Sequence, residues 1–242
     1  MKRNRCAVFC LLGFLAVATS CSILSKPASD IEISTLFSDN MVLQQEMNIP
    51  IWGKADPGGR VTVKIGNQQK TARVSSDSTW RIELKSLEVG GPYTLTVFGK
   101  DTMALKNVMV GEVWICSGQS NMEMPLAGWG RVDNFEKEIS EADYPNIRLF
   151  QVDHAMSVSP KSHVPSKGWQ VCNPATIPEF SSTAYFFGRH VHKNLNIPIV
   201  LIQTAWGGTV AEAWTRGPAL KKMLAFVEPV EEMEKGTAGD DE

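Results

Sequence analysis

The chain has 242 residues, of which 43% are hydrophobic and 21% charged, and its formal net charge is −2. This balance excludes a disordered chain and gives no reason to expect a polyanion such as nucleic acid as a partner. The length suits one large or two small domains.

At the N-terminus, Lys2, Arg3 and Arg5 precede the apolar run CAVFCLLGFLAVA, residues 6–18. A basic flank followed by a run short for a membrane span predicts a signal peptide over residues 1–20. An N-terminal anchor helix is the competing reading. ATSC, residues 18–21, has the form of a bacterial lipoprotein cleavage box, with Cys21 as the acylated first residue; cleavage after Ala18 is the alternative. Either way the mature chain is expected to be exported, in the periplasm or held at the outer membrane of a bacterium through a lipid anchor. Removal of the signal takes Cys6 and Cys10 with it and leaves Cys116 and Cys172. These two either pair in an oxidising compartment or stand apart as small buried residues.

Residues 21–30 read as a tether. From Ile31 to about Val108 the signals are β: MNIPIWGKA, RVTVKIG, KTARVSS, STWRIELKSL and PYTLTVFGK. Asp-Pro-Gly-Gly, Gly-Asn, Ser-Ser-Asp-Ser and Gly-Gly-Pro separate them. Short strands with turn residues between them predict a small β-sandwich over 31–108. In RVTVKIG, Val61, Val63 and Ile65 share one face, which should meet a core.

From Met109 the pattern changes. VGEVWICSG (110–118), NIRLFQVD (146–153) and IPIVLIQTA (197–205) are apolar strands, the latter two separated by a helical stretch. Near-continuous apolar strands suit a parallel sheet covered on both faces. Phe180, Ala184, Phe187, Val191 and Leu195 recur at helical spacing, with Pro178 suited to the first turn. A further helix is expected over VAEAW, before an acidic C-terminal stretch. Strands alternating with helices argue for an open α/β sheet over 109–242. Three strands are few for such a sheet, so this domain is expected to be incomplete.

Ligands of open α/β sheets bind at the carboxyl ends of the strands. Two loops leave such ends, SGQSNMEM (117–124) and TAWGGTVAE (204–212). A serine at a strand-to-helix turn exposes its hydroxyl. Gly207 and Gly208 let backbone N–H groups approach a ligand closely, because no Cβ intrudes. A nucleophile and an oxyanion donor are the first two requirements of acyl transfer. Two tight connections without chemistry are the alternative reading, and the spacing is not that of a lipase-type G-x-S-x-G.

GEVWICSGQSNMEMPL resembles the nucleophile block of the sialate O-acetylesterase family of SGNH-type hydrolases. LFSDNMVLQQEMNIPIWGKADPGGRVTV (36–63) is similar to that family's N-terminal β domain. WQVCNPATIPEFSSTAYFFGRHVHKNLNIPIVLIQTAWGGTVAEAW (169–214) is similar to its central segment. The resemblance implies an α/β fold: an N-terminal β-sandwich followed by an incomplete three-layer α/β domain of SGNH or flavodoxin-like type. It implies an exported esterase that removes O-acetyl groups from sialic acids or related sugars. Ser120 would be the nucleophile, and its own N–H with a glycine of Gly207-Gly208 would form the oxyanion hole. Gln119 and Asn121 would orient the serine or add donors. Glu212 would shape the pocket, unless it is only a charge favoured at a helix start.

The family's catalytic histidine lies in a D-x-x-H-P segment, and residues 1–242 contain none. Of the four histidines, His154 follows a strand end beside Asp153 and is a weak candidate base. His163 sits in a turn-rich loop. His190 and His192, two apart on a helix, face different ways. The expectation is therefore a truncated member, inactive or nearly so, with a separately encoded C-terminal piece as a partner to look for. An alternative from another class is a surface lipoprotein that binds carbohydrate through its β-sandwich, with Trp52 and Trp80 as stacking platforms or, instead, as core residues. A non-functional remnant is the third reading. No cofactor is expected, and no His/Cys/Asp cluster suggests a metal.

Overall fold

The computed structural model describes residues 26–130 and 132–236. The expected signal peptide and Cys21 lie outside the described residues. Eight strands come first: β1 (Glu32–Ile33), β2 (Val42–Gln44), β3 (Ile49–Lys54), β4 (Arg60–Ile65), β5 (Gln68–Arg73), β6 (Thr79–Leu84), β7 (Gly90–Phe98) and β8 (Thr102–Gly118). There follow α1 (Ser120–Glu123), α2 (Phe135–Ser140), β9 (Tyr144–Val152), β10 (Ser166–Cys172), α3 (Ser182–Leu195), β11 (Ile199–Ala205), α4 (Gly217–Leu220) and α5 (Val227–Gly236). The fold is mixed α/β.

Alternation explains the first half. Val61, Val63 and Ile65 of β4 are fully buried, and Trp80, Ile82 and Leu84 of β6 are buried opposite them. Between them in sequence lie outward polar residues such as Lys64, Arg81 and Glu83, as period-two alternation requires. A three-stranded sheet, β1-β3-β6, lies over the β7-β4-β5 end of a larger sheet, and their inner faces share one core. Each buried Val, Ile or Leu contributes about 1.5–3 kcal/mol of transfer free energy.

The larger sheet runs β10-β9-β11-β8-β7-β4-β5, with β2 paired to β8 off that path. β8 is the shared element. Its first part pairs antiparallel with β7, and its last part, Glu112 to Gly118, pairs parallel with β11. The strand crosses residues 108–109, where the sequence changes character, without a break. β11 also pairs parallel with β9, while β10 adds antiparallel at the edge. Ile199 and Leu201 face a core under α3, whereas Val200 faces the core shared with the β half. Both faces of this parallel part are thus covered, as its apolar strands require.

Two sequence expectations are corrected here. Helix α3 starts at Ser182, with Ser181 as N-cap accepting from the Ala184 N–H, so Pro178 lies in the preceding turn. Its inner face is Ser182, Ala184, Tyr185 and Gly188, while Phe187 and Leu195 are exposed. Gly188 is the reason. A Cβ there would fall 2.7 Å from Leu201 Cδ1, so the missing side chain lets the helix settle on β11 along that line. The segment VAEAW forms only a single 3-10 turn, Ala211–Trp214, and the acidic C-terminal stretch is partly helical, in α5.

Cys116 and Cys172 are both free and buried. β9 and β11 lie between their strands, a separation of more than about 10 Å at the usual inter-strand spacing, which no disulfide bridges. Burial pushes the Cys116 thiol up to about 11 and the Cys172 thiol up to about 12, the latter helped by the charge of Asp143.

Candidate active site

β8 and β11 end side by side, with Gly118 opposite Ala205 and the Trp206 N–H donated to the Gly118 carbonyl at 3.0 Å. The two loops singled out in the sequence therefore leave the sheet together. From Gly118 the chain turns sharply. Gln119 is the N-cap of α1, and its carbonyl accepts from Met122 and Glu123, both at 2.9 Å. Ser120 opens this one-turn helix. Its own N–H stands at the first helical position, where no intrahelical acceptor precedes it.

The N-terminus of α3 holds α1 in place. Ser182 donates through both its N–H (2.9 Å) and its hydroxyl (3.0 Å) to the Met124 carbonyl, and Thr183 Oγ1 donates to the Asn121 carbonyl at 2.8 Å. Gln203, buried on β11, accepts from the Ser181 N–H at 2.9 Å. A helix too short to persist alone is thus fixed by its neighbours.

Ser120 Oγ lies over Gly207. A Cβ on Gly207 would come within 3.1 Å of that hydroxyl and 2.7 Å of Glu123 Oε2. The Gly207 N–H is donated to Glu123 Oε2. The other carboxylate oxygen, Oε1, is 2.8 Å from His154 Nε2. The His154 ring stacks on Trp206, centroids 4.2 Å apart and planes 2° from parallel. Glu123 therefore ties three segments together: α1, the loop after β11, and the segment after β9. Downstream, Thr209 Oγ1 donates to the Trp206 carbonyl and accepts from Trp214 Nε1, each at 2.7 Å, which fixes the glycine loop.

The structure thus brings Ser120 and Gly207 together. Gly208, at φ +80°, is exposed with open space around it. Its N–H has no acceptor among the described residues, whereas that of Gly207 is already engaged. Gln119 and Asn121 flank the serine and are exposed. Glu212 is exposed on the 3-10 turn. Ser120 Oγ makes no hydrogen bond among the described residues. His154 pairs with Glu123, His163 lies against the β half, His190 Nε2 stands 3.4 Å from Asn194 Nδ2, and His192 Nδ1 lies 2.8 Å from the Ile197 carbonyl.

Sequence reasoning missed Glu123 and Trp206. The signal for Glu123 was its position three residues after Ser120, which puts both on one side of a helical turn. Nothing local marked its partner, which lies thirty-one positions away. Among the described residues no group of three His, Cys, Asp or Glu side chains is placed to hold a metal ion.

A family model described as "Carbohydrate esterase, sialic acid-specific acetylesterase" matches residues 110–237. The human (Homo sapiens) sialate O-acetylesterase is 31% identical over 208 residues, covering 78% of this chain and 39% of that protein. The mouse (Mus musculus) sialate O-acetylesterase is 32% identical over 208 residues, covering 76% and 38%. The crystal structure of a carbohydrate acetylesterase from Xanthomonas citri is similar, with TM-score 0.75 and 29% identity over 80% of this chain and 44% of that one. The chain thus spans about two fifths of the length of the curated relatives it matches.

Proposed function

Because the chain belongs to the sialic acid-specific acetylesterase family of carbohydrate esterases, we propose that its site serves hydrolysis of O-acetyl esters on sialic acid or related sugars, with Ser120 as nucleophile. The observation that carries this is the position of Ser120 Oγ: at a strand end, first in a helix, directly over Gly207. Ser120 Oγ attacks the acetyl carbonyl carbon. The negative charge that forms on the carbonyl oxygen is met by the Ser120 and Gly208 N–H groups. The C–O bond to the sugar then breaks, the sugar oxygen takes a proton, and the acetyl-serine is hydrolysed by water. Gly207 keeps space for the hydroxyl, and Glu123 holds its loop. Gln119 and Asn121 stand beside the serine as further donors, and Glu212 lies at the outer wall.

A serine at neutral pH needs a base to take its proton. The Ser120 hydroxyl has no partner among the described residues, so we assign the base to a histidine outside them, carried by a further segment or a separate chain. Lack of the base costs about 10⁴ to 10⁶ in rate, with the oxyanion donors leaving a remnant of activity. Residues 1–242 alone are accordingly expected to hydrolyse 4-nitrophenyl acetate barely above background. Fast hydrolysis by the purified chain, abolished by Ser120→Ala, contradicts this.

Export and a lipid anchor at Cys21 belong to the same proposal, supported by the sequence of residues 1–21. Intact mass of the membrane-extracted protein tests the anchor: a diacylglyceryl-modified Cys21 is expected, and an unmodified N-terminus at Thr19 rejects it.

A further inference from the structure

A cleft of about 460 Å³ opens on the β half, far along the sequence from Ser120, and its wall includes Trp52, Lys54, Arg73, Thr79, Arg81 and His163. None of the residues around Ser120 lines it. The strands explain the first five. β3 and β6 pair with Trp52 opposite Arg81 and Lys54 opposite Thr79, and β5 ends at Arg73 beside them. The sixth comes from the segment between β9 and β10, which is fastened across the sandwich on both sides of His163. Ser34 Oγ donates to the Ser162 carbonyl at 2.9 Å, and Thr35 Oγ1 donates to the Val164 carbonyl at 3.1 Å. The Val164 N–H donates back to Thr35 Oγ1, also at 3.1 Å. The cleft is therefore completed by the joint between the two halves, and the sandwich alone does not make it.

Its chemistry is one-sided. Three permanent cations line it and no carboxylate does. Glu83 reaches Arg81 only at 3.9 Å and in solvent, a pair worth little. Arg73 spends its Nε–H on the Gly58 carbonyl, at 3.2 Å, which orients the guanidinium and leaves its terminal amino groups for a ligand. The chain as a whole is slightly acidic, so this is a local anion-binding feature rather than general basicity. Trp80 is buried with its N–H satisfied by the Lys54 carbonyl at 3.1 Å, and so serves as core. Trp52 is half-buried, edge-on to Phe37 at 4.6 Å, and offers an aromatic surface. A guanidinium fork binds carboxylate, an indole surface packs against a sugar ring, and serine and threonine hydroxyls meet ring hydroxyls. The volume lies within the range for small-molecule sites.

We propose that this cleft binds one carboxylate-bearing sugar residue, at a site separate from Ser120. The charge of the ligand is read from the cleft itself; that it is a sugar rests also on the esterase reading above. Such a site would hold an acidic glycan on the β half while an acetylated residue is presented to Ser120.

The test is calorimetric titration of the full 242-residue chain, as Ser120→Ala, with free N-acetylneuraminic acid, and in parallel with N-acetylmannosamine and with inorganic phosphate. Saturable binding of the sugar acid is expected, with the neutral sugar and phosphate at least ~10-fold weaker. Arg81→Ala and Arg73→Ala, both exposed and so expected to fold (checked by thermal melting), should each weaken sugar-acid binding by about 10-fold, the loss of one charge-assisted contact. Absence of saturable binding, equal binding of phosphate or of the neutral sugar, or indifference to both arginine substitutions overturns the proposal. Saturable, arginine-dependent binding, together with a parent chain whose Ser120-dependent hydrolysis is not restored even by added imidazole, leaves this site standing and removes only the esterase reading.

Discussion

At Gly207, a single methyl group would crowd both Glu123 and Ser120. The alanine Cβ would stand 2.7 Å from Glu123 Oε2, so that carboxylate would have to leave the Gly207 N–H, and 3.1 Å from Ser120 Oγ, a tight contact. Gly207→Ala is expected to destabilise the folded chain by about 1–3 kcal/mol, read as a lowered denaturant midpoint. Glu123 is the other local determinant, since its carboxylate accepts from a backbone N–H and faces His154. The two loops were legible because strand-end loops announce themselves by composition, whereas the choice of Ser120 over Ser117 came from the family resemblance. The Glu123–His154 contact was not, because it depends on two segments meeting in space. A second expectation belongs to the buried thiols. Their raised values mean that an unfolded chain releases these protons from near the ordinary value of 9.0 upward, while the folded chain keeps Cys116 neutral to about 11 and Cys172 to about 12. The folded state then binds more protons, so this contribution is fully present below pH 9 and is lost as pH rises through the folded values. Urea unfolding at pH 8 and pH 10 should show it, with both thiols unreactive to iodoacetamide in the native protein at pH 8.

At the scale of elements, β8 joins the two halves. Gly111 marks the point where it leaves β2 and meets the start of β11. A Cβ there would lie 2.0 Å from the Pro198 carbonyl oxygen, a backbone atom that cannot step aside, while the neighbouring Glu112 N–H donates to the same oxygen at 3.0 Å. Gly111→Ala is expected to cost at least about 3 kcal/mol, or to prevent folding; a thermal midpoint within a degree or two of the parent's contradicts this. Sequence patterning found the second part of β8, residues 110–118, but assigned no strand to residues 102–109. The first part carries Lys106 and Asn107 and shows no clean alternation, whereas the second is near-continuously apolar, so the change of character looked like a boundary. The stripe on α3 was read only partly right: Ala184 and Val191 do face the core, but Phe187 and Leu195 do not, because Gly188, which contributes no hydrophobicity, is where the helix meets Leu201.

For the molecule as a whole, the open side of β8 matters. From Glu112 to Gly118 no strand among the described residues pairs with the edge opposite β11, although the Gln44 side chain accepts from the Val113 N–H at 2.8 Å. Trp114 and Ile115 on this stretch are 40% and 71% exposed. An unpaired edge with large apolar residues invites self-association. Ile115→Lys should reduce light scattering by the concentrated protein without lowering its thermal midpoint, and unchanged scattering contradicts the assignment. The strand ends two residues before Ser120, so the base-carrying segment proposed above would find a free edge leading to the nucleophile. The central claim, a competent nucleophile that lacks only a proton acceptor, is tested most directly by chemical rescue. The measurement is 4-nitrophenyl acetate hydrolysis by the purified chain against imidazole concentration, with the Ser120→Ala rate subtracted. A Ser120-dependent rate near zero without imidazole, rising as imidazole is added, is the predicted result. A fast Ser120-dependent rate with no imidazole, or no Ser120-dependent rate at any concentration, would contradict it.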